Sequence, residues 1–182
     1  ILDCQKALTE NGDDVEKAID YLRHKGLAAA AKKAGRETNQ GLIHSYIHMG
    51  GKIGVLIEVN CETDFVARNE EFRSLAHELA LHIAAMSPRY ISRDEVSQEE
   101  LDRELDVLKA QAKAEGKPDN IIEKIVQGRL SKFYEEFCLL EQPFVKDDSI
   151  KISDMITDTI RKTGENVIVR RFARYELGEA LD

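Results

Sequence analysis

Side chains able to do chemistry are plentiful in this chain, but the spacing of most of them withholds it. His77-Glu78 with His82 invites comparison with a helical zinc site, which needs its histidines at i and i+4 on one face. Here they are five apart, about 140° around a helix that turns about 100° per residue, so they cannot share one metal. The spacing predicts instead a surface helix on which Glu78 and His82 form an i, i+4 pair. Gly51-Lys52 is followed by Ile53 rather than Ser or Thr, and no glycine stands five residues before Gly51, so the phosphate-loop pattern fails and a hairpin turn explains it. No Gly-x-Ser-x-Gly elbow supplies a nucleophile. Cys4, Cys61 and Cys138 are far apart and odd in number, which fits neither a disulfide framework nor a paired-thiolate zinc site. Each reads as a small buried apolar residue, and a reducing cytosol is the simplest compartment. Glu99-Glu100 and Glu135-Glu136 have the right type for acid/base work, yet they fall on helices whose polar faces read as solvated.

One segment resists so plain a reading. Asn60-Cys61-Glu62-Thr63-Asp64-Phe65-Val66-Ala67-Arg68-Asn69 joins a strand pattern to a helix pattern. Thr63 can cap a short turn, which leaves Asp64 and Phe65 on a connection rather than in a regular element. A Phe on such a tip is either folded back into the core or offered to a partner as an apolar anchor. Composition does not decide between the two.

The elements that must position this segment follow from periodicity. Residues 1–25 read as two short helices separated by Asn11-Gly12-Asp13-Asp14, with Val15, Ala18, Ile19 and Leu22 at helical spacing on the second. Two such helices cannot close a core, so a further N-terminal helix before Ile1 is expected to complete a three-helix module. Gly26 should end the second helix, leaving Leu27 to Gly35 as an alanine-rich tether. From Gly41 the period changes to two. Leu42 to His48 and Ile53 to Asn60 flank Met49-Gly50-Gly51-Lys52 and predict a β-hairpin with Ile53, Val55, Ile57 and Val59 on its buried face. A long amphipathic helix carrying Phe72, Leu75, Ala76, Leu79, Ile83 and Met86 should cover that face. Ser97 and Glu100 have capping-box spacing ahead of Leu101, Leu105, Leu108 and Ala112. After Gly116-Lys117-Pro118-Asp119 the stripe resumes as Ile122, Val126, Leu130, Phe133 and Phe137. These two seams predict an antiparallel coiled-coil hairpin protruding about 30 Å, at about 1.5 Å per residue. A short helix around Ile156 and Ile160 and a last strand over Asn166 to Leu177 close the pattern. Val167, Val169, Ala173 and Tyr175 should share one face of that strand, with Arg171 marking a bulge or a partner contact.

The fold class is therefore α+β, an antiparallel sheet packed against helices. The expected units are an N-terminal helical module and tether (1–37), the first part of the core (38–96), the helical hairpin (97–137) and the second part of the core (138–182). At 182 residues, 42% apolar and 33% charged with mean hydropathy −0.40, the chain has apolar surface for a core and too much charge for a membrane protein. It contains no run of about 18 apolar residues, so no transmembrane helix is expected. Lys and Arg total 26 against 34 Asp and Glu, a net charge of −8, which disfavours direct nucleic-acid binding.

Here the residues become familiar. The run Glu58 to Asn69, together with Leu2 to Glu10 and Ala30-Ala31-Lys32-Lys33-Ala34, strongly resembles the elongation factor Ts family of bacterial and organellar translation. Ser45-Tyr46-Ile47-His48 with Gly54-Val55-Leu56, Gly116-Lys117-Pro118 leading into Gly128-Arg129, and Gln142-Pro143-Phe144-Val145 agree with it, so the resemblance covers nearly the whole chain. It implies a guanine-nucleotide exchange factor for elongation factor Tu, without covalent chemistry or a cofactor of its own. It implies further that Thr63, Asp64, Phe65 and Val66 reach the GTPase beside its nucleotide and magnesium, with Phe65 as a displacing wedge. The N-terminal module would be ubiquitin-associated-like and dock through Ile1 and Leu2, while Tyr46 and His48 would face the partner's third domain. One hairpin unit with one helical hairpin resembles the short form of the family, which implies a homodimer and a cytoplasmic, bacterial setting rather than an organellar matrix. The runner-up is a non-catalytic adaptor whose helical parts bind some other protein. A hydrolytic enzyme is a distant third.

Overall fold

The computed structural model describes residues 2–180. Helices α1 (Leu2–Glu10) and α2 (Val15–Ala31) are joined by a turn in which Gly12 and Asp13 both take positive φ, and Asp14 caps α2 by accepting the Lys17 amide at 3.1 Å. The expected stop at Gly26 does not occur. Gly26 keeps ordinary helical geometry, buried against the methyl of Thr157, and the alanines after it continue the helix to Ala31. Alanine is the strongest helix former, so Leu27 to Ala31 is helix rather than tether.

The main sheet is antiparallel in the order β1 (Gln40–Ile47), β2 (Ile53–Cys61), β5 (Val167–Glu176). The β1–β2 turn needs Gly50 and Gly51, with φ of 89° and 67°. Val55, Ile57, Val59 and Cys61 point inward from β2, and Leu42 and Tyr46 pack beside them from β1. Helix α4 (Glu70–Met86) covers this face with Phe72, Leu75, Ala76, Leu79 and Ile83, and α7 (Ile152–Thr163) adds Ile152, Ile156 and Ile160.

The last strand departs from simple alternation. Val59 pairs with Val169, but Glu58 pairs with Arg171, so Arg170 is the extra residue of a β-bulge. A single extra residue exchanges the two faces of everything beyond it. Val167, Val169 and Phe172 therefore pack inward, whereas Ala173 and Tyr175 face the other side and Tyr175 is exposed. The bulge expected at Arg171 exists one residue earlier, and it overturns the shared face expected for Ala173 and Tyr175.

Helices α5 (Gln98–Ala114) and α6 (Asp119–Phe137) form a second apolar cluster from Leu108, Ala112, Ile122, Val126, Leu130 and Phe133. Ser97 accepts the Glu100 amide at 3.2 Å, as the cap spacing predicts. A two-stranded sheet, β3 (Pro143–Phe144) with β4 (Asp147–Lys151), links α6 to α7. Among the described residues, no helix is long and apolar enough to cross a membrane.

Candidate functional site

The segment from Cys61 to Asn69 leaves the end of β2 and enters α4 through one short helical turn, α3 (Asp64–Ala67). Four residues cannot sustain a helix, because the first turn fixes several residues for a single hydrogen bond. The turn is held from outside. Thr63 caps it, its Oγ1 accepting the Val66 amide at 3.3 Å, and the same hydroxyl donates to Glu165 Oε1 at 2.6 Å. Glu165 Oε2 accepts the backbone amides of Glu62 at 3.1 Å and Thr63 at 3.0 Å. On the opposite side the Cys61 thiol donates to the Thr63 carbonyl at 3.2 Å. Burial, with the Glu165 charge adding, pushes that thiol up to about 11, so it stays protonated and keeps its donor role.

Asn166 extends the brace. Its backbone amide donates to Glu62 Oε1 at 2.6 Å, and its side chain donates to the carbonyls of Arg36 at 3.1 Å and Ala34 at 3.4 Å. Arg36 meets the same Glu62 oxygen at 3.4 Å. Three stretches of chain, 34–36, 62–63 and 165–166, are thereby tied beside the turn. The β2–β5 register explains why: Cys61 pairs with Val167, which sets the residues after one beside the residues before the other.

The result is a turn with a buried base and an exposed rim. Val66 and Ala67 are buried, while Phe65 is 79% exposed. Asp64 is exposed too and forms a 2.8 Å ion pair with Arg68. Of the two placements open to Phe65 on composition, the structure takes the exposed one. The four residues singled out in the sequence do not act alike: Thr63 braces, Asp64 and Phe65 are presented, and Val66 anchors the turn to the core. A groove of about 290 Å³ runs beside α3, lined by Gly41, His44, Asp64, Arg68 and Arg73 among others. Gly41 is required there, with φ of 150° and so close an approach to β2 that a Cβ would lie 2.2 Å from the Val59 carbonyl oxygen.

Tyr46 and His48 come together, the phenol lying 3.1 Å from His48 Nδ1. Two residues not singled out as a site join them: His44 Nε2 lies 3.2 Å from His77 Nδ1, and the His77 ring meets Tyr46 edge-on at 5.7 Å. Partial burial first, then electrostatic repulsion from the His77 and Arg73 side, lowers the His44 pKa below its ordinary value. Period-two spacing of His44, Tyr46 and His48 is the signal that would have grouped them. Leu2 opens α1, and Ile1 lies outside the described residues.

The expected Glu78–His82 surface pair is replaced. His82 is fully buried, lies 2.9 Å from Gln142 Oε1, and accepts the Val145 amide on Nδ1 at 3.2 Å, which makes Nε2 the donor to Gln142. Glu78 pairs with Lys146 instead. His82 sits three residues after Leu79 on the covered stripe of α4, so the helix period, not residue type, decides its place. Cys61 and Cys138 are buried as expected, whereas Cys4 is exposed. Glu165 and Asn166, which hold the candidate site, escaped sequence reasoning because their partners lie about a hundred residues earlier. The strand pairing is the only cue that could have found them.

The sequence profile of the family described as Elongation factor TS matches residues 28–179. The elongation factor Ts of Moorella thermoacetica is 58% identical over 181 residues, spanning 100% of this chain and 89% of that protein. That of Desulforamulus reducens is 58% identical over 182 residues, covering 100% of this chain and 84% of its own. The elongation factor Ts of Caldanaerobacter subterraneus subsp. tengcongensis is 57% identical over 182 residues, with 100% and 91% covered. An α+β protein with such relatives is a nucleotide exchange factor of translation elongation. The chain belongs to the elongation factor Ts family.

Proposed function

We propose that this protein releases GDP from elongation factor Tu by inserting the Thr63–Val66 turn beside the partner's magnesium and nucleotide, with Phe65 as the wedge and Asp64 next to it. The observation that carries this reading is the 79% exposure of Phe65 on a turn whose following residues, Val66 and Ala67, are buried. A lone aromatic held out on a braced base is the form of an interface anchor rather than of a core residue. No covalent chemistry is asked of the protein, and no cofactor.

The physical requirement is differential binding. The factor must hold the nucleotide-free partner more tightly than the nucleotide-bound one, since equal affinity shifts nothing. Linkage makes this reciprocal, so nucleotide weakens the factor's hold by the same ratio. A ten-thousand-fold acceleration of release needs roughly 5.5 kcal/mol of preference for the exchange transition state. Buried anchors and lost magnesium contacts on the partner are sources of that size. Ile1 and Leu2 of a ubiquitin-associated-like module, and Tyr46 with His48 at the sheet edge, dock the partner away from the nucleotide. The α5–α6 pair, a coiled-coil hairpin in this reading, stands apart from the exchange site.

A second copy of the chain completes the unit as a homodimer. Supporting this, Ile43, Ile47, Leu56 and Tyr175 are exposed on the face of the sheet turned away from α4, and sheets of this kind pack face to face.

The test is Phe65→Ala, measured for GDP release with a fluorescent nucleotide and for thermal melting together. A wedge predicts release slowed by about one to three decades with the melting point nearly unchanged, about 1.4 to 4 kcal/mol of lost transition-state stabilisation. Release at the parent rate overturns the wedge and favours an adaptor that binds without exchanging.

A further inference from the structure

We propose that Glu165 is the positioning residue for exchange: its carboxylate fixes the Thr63 cap and so holds Asp64 and Phe65 out at the angle at which they meet the GTPase. This inference rests on the wedge reading of Phe65. Its geometry stands apart from that reading.

Three donors converge on one carboxylate, the Glu62 amide at 3.1 Å, the Thr63 amide at 3.0 Å and the Thr63 hydroxyl at 2.6 Å. Hydrogen bonds to an ionised acceptor are the stronger kind, and two of these are made to backbone, whose direction the side chains of the turn cannot alter. The hydroxyl contact matters most. A threonine hydroxyl has a single proton, and while Glu165 takes it, the oxygen's lone pairs remain for the Val66 amide at 3.3 Å. Glu165 thus fixes the orientation in which Thr63 caps. Without it the Thr63 side chain is free to leave the capping rotamer, and the bond to the Val66 amide weakens. The exposed first turn of a four-residue helix then frays more readily, even with Val66 and Ala67 still buried.

The exposed Phe65 gives this brace its use. An unrestrained aromatic on a loop gains by folding back against apolar surface, and a partner must then reverse that collapse to bind it. The brace removes the alternative beforehand. Asn166 and Arg36 grip Glu62, and Cys61 grips the Thr63 carbonyl, but these contacts hold the base of the turn; of these groups, Glu165 alone touches the capping hydroxyl.

The experiment is a double-mutant cycle on the full chain with elongation factor Tu loaded with fluorescent GDP: parent, Glu165→Ala, Phe65→Ala and the double variant, with amide hydrogen exchange on the free proteins. Glu165→Ala should slow release roughly 10- to 100-fold, as expected when a working group is misplaced by about an ångström. In the Phe65→Ala background the same change should slow it several-fold less than in the parent, since only Asp64 remains to be positioned. Glu165→Gln, which keeps an oxygen for the backbone amides, should recover part of the rate, and it replaces Glu165→Ala in the cycle if the latter does not fold. Amide exchange at Thr63 and Val66 should accelerate at least about tenfold in Glu165→Ala while α4 amides stay protected. Equal slowing in both backgrounds, or unchanged amide exchange in the turn, overturns the proposal. Parent-like release by Phe65→Ala overturns the wedge reading instead, and the brace is then decided by the amides alone.

Discussion

Cys61 uses its thiol as a donor, and a thiol that donates its proton is not a nucleophile. Burial pushes both Cys61 and Cys138 up to about 11 from 9.0, so native protein at neutral pH should react with iodoacetamide at Cys4 alone, and at all three cysteines in urea, as read by mass spectrometry. The same shifts set an alkaline limit. The unfolded chain loses these protons more readily than the folded one, so stability is intact below pH 9 and falls as pH rises toward 11. His82 sets the opposite limit. Burial lowers its pKa, against a smaller opposing pull from Gln142, so the unfolded chain takes up the proton first and stability falls as pH drops below 6.5. Urea midpoints between about pH 7 and 5 should fall less steeply in His82→Gln than in the parent. At this scale the sequence was legible unevenly. The burial of His82 follows from its place three residues after Leu79, and only the polar character of histidine hid it. The exposure of Phe65 does not follow from anything local, because an apolar residue at a tip suits both fates and the choice is made by Glu165, a hundred residues away.

Elements defined by strong periodicity, β1, β2, α4, α5 and α6, form where expected because each buries one face and the side-chain repeat records which. On α4, however, Met86, expected on the covered face, is exposed, and His82, expected at the surface, is buried. The misread elements are those governed by a neighbour. Helix α2 runs past Gly26 since no left-handed geometry is imposed there, and the faces of β5 exchange because Arg170 is squeezed out of the ladder. The bulge carries its own prediction. Deleting Arg170 leaves Val169 opposite Val59 and Phe172 opposite Ile57, now in plain alternation, so that variant should fold with its melting point within several degrees of the parent, by circular dichroism. The α5–α6 pair has a cluster of its own from Leu108 to Phe133. Removing residues 97–137 and closing the gap with a short linker should leave measurable exchange if the core folds; a folded deletion with no exchange at all would place part of the site on these helices.

At the scale of the whole molecule, the proposed homodimer rests on the exposed apolar residues of the sheet's outward face. Light scattering at micromolar concentration should give a mass near twice 20.6 kDa, and Leu56→Glu, a charge placed on that face, should halve it. A parent protein that is monomeric and fully active would end the dimer idea. The brace around Thr63 has a consequence in time as well as in space. It joins residues 34–36 and 62–63 to residues 165–166, separations of 102 to 132 positions. A chain still being made has its α4 sequence in full long before the carboxylate that receives the Glu62 and Thr63 amides exists. Folding proceeds from the N-terminus during synthesis, and contacts this distant in sequence close late. The turn therefore takes its working shape only after Asn166 has emerged from the ribosome. A nascent copy of this factor, or one cut short before Glu165, has the Phe65 side chain but no fixed direction in which to present it.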